Sequence, residues 1–127
     1  MAELPPYARA LGIAVARNED GIPVLHAEFS DAVQGRPGAL HGGAISGLLE
    51  TAGYALLRSA LAEAGRAGAM KPINLTVQFL AAGKPQTTFA KARIVKLGRR
   101  TANLSVEAWQ DDPVRPIASA VRNVMVG

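Results

Sequence analysis

LHGGAISGLLET, residues 40–51, is the stretch on which the fold turns. His41 stands before two glycines that open an apolar, alanine-rich segment, and a single carboxylate, Glu50, lies inside it. Ile45, Leu48, Leu49, Ala52, Leu56, Leu57, Ala60 and Leu61 recur at the three-and-four spacing of one buried stripe. This predicts a helix of about 20 residues, with Gly65 placed to end it. Apart from Ser46, Glu50, Thr51, Arg58 and Glu63 its surface is nearly apolar all round, so other elements should wrap it. Gly47 and Gly53 each cost about 1 kcal/mol relative to alanine in a helix interior. Together with Ala44, Ala52 and Ala55 they imply a neighbour packed at close range.

At the helix start, Gly42 and Gly43 present backbone N–H groups with no side chain in the way, at the positive end of the helix dipole. Such donors suit a carbonyl oxygen that gains negative charge, a term of about 3 kcal/mol per donor in acyl-transfer sites. The competing reading is a tight glycine turn that His41 helps to cap. Glu50 adds weight to the chemical reading. A carboxylate in so apolar a helix reaches solvent, pairs with an arginine, or is kept for chemistry. Eight residues separate Gly42 from Glu50, about 12 Å along a helix axis. One helix cannot bring both to one atom. If the two act together, they come from two antiparallel copies about a two-fold axis.

After the helix the period changes to two. Ile73, Leu75, Val77 and Phe79 alternate with Asn74, Thr76 and Gln78, which predicts a half-buried strand. Residues 81–85, with Gly83 and Pro85, break it. Further strands are expected at 87–97, at 101–110 with Ala102, Leu104, Val106 and Ala108 on one face, and at 116–126. Gly98-Arg99-Arg100 and Asp111-Asp112-Pro113 are the intervening turns. Before the helix, 11–17 and 23–29 form a hairpin about Asn18-Glu19-Asp20-Gly21. The order is hairpin, helix, then a meander: an α+β layout with one long helix against an antiparallel sheet.

The 127 residues suit one domain, 1–127, with a proper core. Cysteine is absent, which excludes a disulfide framework, a cysteine nucleophile and a thiolate metal site, and fits a reducing, cytoplasmic setting. The opening MAELPPYARALGIAV lacks a basic flank followed by an apolar run, and Glu50 and Arg58 interrupt the helix, so neither export nor membrane spanning is expected. From Arg66 to Arg100 there are eight basic residues and no Asp or Glu. Only Phe79 and Phe89 could stack bases in that span, so a small phosphorylated ligand is favoured over nucleic acid. A solvated basic face is the alternative.

Other chemistries fit poorly. Gly43-Ala-Ile-Ser46-Gly47 is not a nucleophile elbow, and only His26 and His41 could serve a serine as base. His41 and Glu50, nine residues apart, do not share adjacent helical turns, so no metal site is expected. His26, between Leu25 and Ala27, reads as a surface or edge histidine. No phosphate-cradling loop occurs.

LHGG, a carboxylate nine positions after the histidine, the period-two strand and the Gly-Arg-Arg turn in this order resemble the hotdog-fold acyl-CoA thioesterases of the phenylacetate-degradation type, over residues 7–126. The resemblance implies a sheet curled about the central helix, a homodimer that often pairs into a homotetramer, and hydrolysis of a fatty or aromatic acyl-CoA without cofactor. Carried over, Gly42 would donate its N–H to the thioester carbonyl and His41 would support that loop. Glu50 of the facing subunit would attack or activate water, and Gly43, Gly98, Arg99 and Arg100 would bind substrate, the last three at the nucleotide end of coenzyme A. Many relatives have Asp at the Glu50 position, which keeps the carboxylate role. Two polar auxiliaries are replaced here, by Gly35 and by Pro72, leaving Gln34, Ser46, Thr51 and Asn74 as candidates for their task. Two other readings remain on this fold: a non-catalytic acyl-CoA binder, and an acyl dehydratase or hydratase, against which stands Ala27-Glu28 after His26 where Phe-Pro would be usual.

Overall fold

The glycine-opened helix forms where the spacing predicts it. In a computed structural model, which describes residues 4–66 and 68–127, helix α2 spans Gly42–Glu63. Residues 1–3, part of the N-terminal stretch read above, and Ala67, within the basic span, lie outside the described residues. Gly65, at φ +69°, ends the helix. Its N–H reaches the Ala62 carbonyl at 3.1 Å and the Arg66 N–H reaches Leu61 at 2.8 Å, which satisfies carbonyls the last turn would leave open.

Helix α1 (Pro6–Ala10), β1 (Ile13–Glu19) and β2 (Ile22–Ala27) precede α2, and β3 (Met70–Phe79), β4 (Thr88–Leu97), β5 (Thr101–Trp109) and β6 (Ala118–Val126) follow it. The strands form one sheet in the order β1-β2-β4-β5-β6-β3, with every neighbouring pair antiparallel. The expected α+β layout is therefore present. Asp20 and Gly21, at φ 53° and 80°, make the two-residue turn of the first hairpin, the geometry that matches strand twist. The short helix α1 was not anticipated. Among the described residues no helix is long and apolar enough to cross a membrane.

The core explains the helix composition. Ile45, Leu48, Leu49, Ala52 and Leu56 of α2 pack on Leu25, Ala27, Ala90, Ala92, Val106, Ala108, Ala118 and Ala120 of the sheet. Alanine at so many inward positions lets the sheet curl close around the helix. At Gly47 a Cβ would lie 2.9 Å from the Tyr7 hydroxyl and 3.1 Å from Leu11, so α1 is the neighbour that the small residues implied.

One expectation needs correcting. The strand read as half-buried is β3, yet of its four alternating apolar residues Ile73 is 49% and Phe79 55% exposed, and only Leu75 and Val77 pack against the core. The register shifts between Pro72 and Asn74, which takes Ile73 out of the alternation. The larger cause is that β3 is the sheet edge, beyond β6, where this chain has little left to cover it.

Candidate active site

His41 is the N-cap of α2. Its Nδ1 accepts the Gly43 N–H at 2.8 Å, and its carbonyl accepts the N–H groups of Ala44 and Ile45 at 3.0 and 3.1 Å. Of the two donors expected to be free, Gly43 is thus already engaged, and the Gly42 N–H alone is left without a partner among the described residues. The cap also explains the second glycine, because a Cβ on residue 43 would sit 2.9 Å from His41 Nδ1. At residue 42 a Cβ would lie 3.3 Å from the Phe79 ring.

The approach to this amide is braced from behind. The His41 N–H bonds the Val33 carbonyl at 2.7 Å and the Leu40 N–H bonds Gly83 at 3.2 Å. Buried Gln110 fixes the Gly83 loop by accepting the Lys84 N–H at 3.1 Å and donating to the Lys84 carbonyl and to Thr88 Oγ1, each at 3.0 Å. The Gly42 amide opens into a cleft of about 540 Å³ whose walls include Gly35, Leu40, His41, Phe79 and Gly83.

Glu50 opens into a different cleft, of about 390 Å³, with Tyr7, Thr51, Tyr54, Pro72 and Arg122 around it. Its side chain is 43% exposed. Behind it lies Arg122, only 6% exposed, whose Nη1 donates to the Glu50 main-chain carbonyl at 2.6 Å and whose Nη2 stands 3.8 Å from Oε2. Burial pushes the Arg122 pKa below its ordinary value, and the Glu50 charge opposes that. Sequence reading missed Arg122. The available signal was an arginine at an inward position of a period-two strand.

The remaining expected residues divide. Gly98-Arg99-Arg100 joins β4 to β5, with both arginines exposed, and Arg66 Nη2 donates to the Arg99 carbonyl at 3.0 Å. Three arginines therefore cluster beyond the C-terminal end of α2, remote from Gly42. Lys91, by contrast, is paired with Glu19 at 3.0 Å, and Arg17 and Lys91 together hold that carboxyl below the usual carboxylate range. Gln34 is engaged with Gly38 and Asp31, Thr51 donates to the Gly47 carbonyl, and Asn74 accepts from Asn123. Gly35 is pressed on His41, 3.1 Å from its Cα to an added Cβ. Tyr54 and Leu57 line the Glu50 cleft, Phe79 lines the Gly42 cleft, Leu49 is core, and Trp109 is stacked on Phe89. His26 stacks on the other side of Phe89, away from Glu50. Among the described residues no group of three His, Cys, Asp or Glu side chains could hold a metal ion.

The sequence profile of the thioesterase superfamily matches residues 37–117. The chain belongs to that superfamily. It is a hotdog-fold thioesterase, a hydrolase of thioesters, with α2 as the central helix and the six strands as the sheet around it. A phenylacetic acid degradation-related protein of Ralstonia eutropha JMP134 superposes with a TM-score of 0.81 at 22% identity, over 98% of this chain and 92% of that one. A protein of Chromobacterium violaceum is 34% identical, with a TM-score of 0.73 over 94% and 82% of the two chains. A thioesterase of Haemophilus influenzae has a TM-score of 0.85 at 16% identity, over 95% and 82%. No curated protein matches the chain.

Proposed function

We propose that this thioesterase hydrolyses a fatty or aromatic acyl-CoA to the free acid and coenzyme A, at a site shared between two copies related by a two-fold axis. One observation carries the reading. The free Gly42 N–H and the Glu50 carboxylate open into different clefts and lie about 12 Å apart on one helix. In two antiparallel copies of α2, Gly42 of one faces Glu50 of the other, and the two clefts join. Strand β3 supports this, since its outer edge is unpaired among the described residues and its helix-side apolar residues are incompletely covered. Exposed Val121 and Met125 on the outer face of β6 support a further pairing of dimers into a tetramer.

The chemistry follows from the two groups. The Gly42 N–H donates to the thioester carbonyl oxygen and strengthens as that oxygen gains charge in the tetrahedral intermediate. His41 holds the turn by capping Gly43, so that Gly42 keeps its aim, and Gly43 leaves the backbone open to substrate. Glu50 of the facing subunit supplies the oxygen nucleophile, by attacking the carbonyl carbon itself or by taking a proton from the water that attacks. Collapse breaks the carbon–sulfur bond, and the coenzyme A thiolate leaves and is protonated; after direct attack by Glu50, water then cleaves the acyl–Glu50 anhydride, which releases the acid and restores the carboxylate. Gly98, Arg99 and Arg100, with Arg66, receive the phosphates of the nucleotide end, for which the guanidinium fork is suited. From Glu50 to the end of its helix is about 20 Å, so the pantetheine arm runs along the α2 that carries the carboxylate. Residues 1–127 act as one unit, in a reducing cytoplasm.

The test mixes two inactive variants. Glu50→Gln should lower turnover about a hundredfold, the scale of a positioned base, and Gly42→Val should block the amide. In a heterodimer one site carries both lesions and the other carries neither. Up to half of wild-type activity should return after subunit exchange, read as free thiol released from a panel of acyl-CoAs. No recovery in verified heterodimers would show that each chain builds its site alone.

A further inference from the structure

We propose that Arg122 is a positioning residue for the Glu50 carboxylate, an inference that rests on the role given to Glu50 above. Its place in the sheet is anomalous. Towards α2, β6 presents Ala118, Ala120, Arg122, Val124 and Val126, all buried. Across the strands Arg122 stands between Leu104 of β5 and Leu75 of β3. A guanidinium in such a row loses its hydration, and an apolar residue of similar volume is often at least as stable there. Among the described residues Arg122 recovers polar contacts with one residue only, and both are with Glu50: its main-chain oxygen at 2.6 Å and its carboxylate at 3.8 Å. The Nε, fully buried, has no partner among the described residues, so the arrangement does not complete the hydrogen bonding of the guanidinium. An arginine placed for stability alone would not be left in that condition.

The carboxylate has few other neighbours to orient it. In its cleft Tyr7 comes from α1, Tyr54 from α2 and Arg122 from β6, while β3 contributes Met70 and Pro72, neither of which titrates. Position 35 is a glycine packed on His41, and Thr51 already donates to Gly47. Arg122 acts from behind the helix instead. By gripping the main chain of residue 50 it fixes where the side chain starts, and by facing Oε2 it leaves the other oxygen for water or thioester. The carboxylate is thereby held while remaining open to the cleft.

A double-mutant cycle tests this, with kcat and KM measured by free-thiol release for Glu50→Gln, Arg122→Met, Arg122→Lys and the Glu50→Gln, Arg122→Met pair. Arg122→Met should lower kcat about tenfold with KM nearly kept, as a misplaced group does. Arg122→Lys should recover part of that loss. In the Glu50→Gln background Arg122→Met should add less than about twofold, because a residue that acts through the carboxylate has nothing left to position. The inference falls if Arg122→Met keeps kcat, or if its loss multiplies in full onto that of Glu50→Gln. Either result beside an inactive Glu50→Gln leaves the proposed site intact. A near-wild-type Glu50→Gln would bring down both. Should Arg122→Met fail to fold by circular dichroism, Arg122→Lys takes its place in the cycle, with a loss of about threefold expected and the same two outcomes deciding.

Discussion

Strands β5 and β3 carry the same apolar alternation and meet opposite fates. In β5, Ala102, Leu104, Val106 and Ala108 are all 0% exposed. In β3, Leu75 and Val77 are half-covered and Phe79 lies mostly in the open. Hydropathy does not separate them. Position does, because β5 has a strand on each side and α2 across its face, whereas β3 lies at the edge beyond β6. Period-two spacing therefore reports that a face is apolar and is silent on which molecule covers it. The helix is divided in the same way: Leu48, Leu49 and Ala52 are sealed, while Glu50 and Tyr54 face the cleft on the flank towards β3. The candidate site and the uncovered flank coincide.

The largest effect should come on the sealed side. Leu104→Ala should cost about 2–5 kcal/mol, read by urea unfolding, and the loss should be the same at every protein concentration. Val77→Lys should behave differently, because it places a charge where the second copy is proposed to pack. Association should weaken by about 3 kcal/mol, roughly a hundredfold, with the chain still folded, so that sedimentation reports monomer in place of the proposed dimer. A concentration-independent loss like that of Leu104→Ala would mean that the chain seals β3 by itself, and the contrast would be gone. The smallest effect belongs to Glu19, exposed on the opposite edge. Its depressed pKa means that the Arg17 and Lys91 pairings stabilise the fold above the ordinary carboxylate range, and that this is lost as the pH falls through the depressed value. Glu19→Gln should therefore lower Tm slightly at pH 7, with the difference from wild type closing in acid and in high salt. A large drop at pH 7 would give this edge a weight that only the sealed side is expected to have.

The elements that were legible are those with local causes. The three-and-four stripe and Gly65 bound α2, Asp20-Gly21 makes the hairpin turn, and Ala102 to Ala108 face inward as their alternation requires. His41 was read as a possible cap and is one. The engagement of Gly43 was not seen, because it depends on where the imidazole swings, a matter of 2.8 Å. Helix α1 escaped notice since five residues carry too little periodicity to register. Gln110 and Arg122 escaped for another reason: their partners lie 22 to 26 and 72 residues away, respectively.

The chain by itself determined the central helix, the strand alternation, and a separation of Gly42 from Glu50 too long for one helix to close, because each rests on the fixed rise and period of the backbone. Only the tertiary structure decided that one glycine amide and not two is free, that β3 ends at an uncovered edge, and that a buried arginine stands behind the carboxylate. Those depend on side chains from distant parts of the chain meeting at atomic range. Spacing along a sequence does not encode such a meeting until the sheet has curled and brought them there.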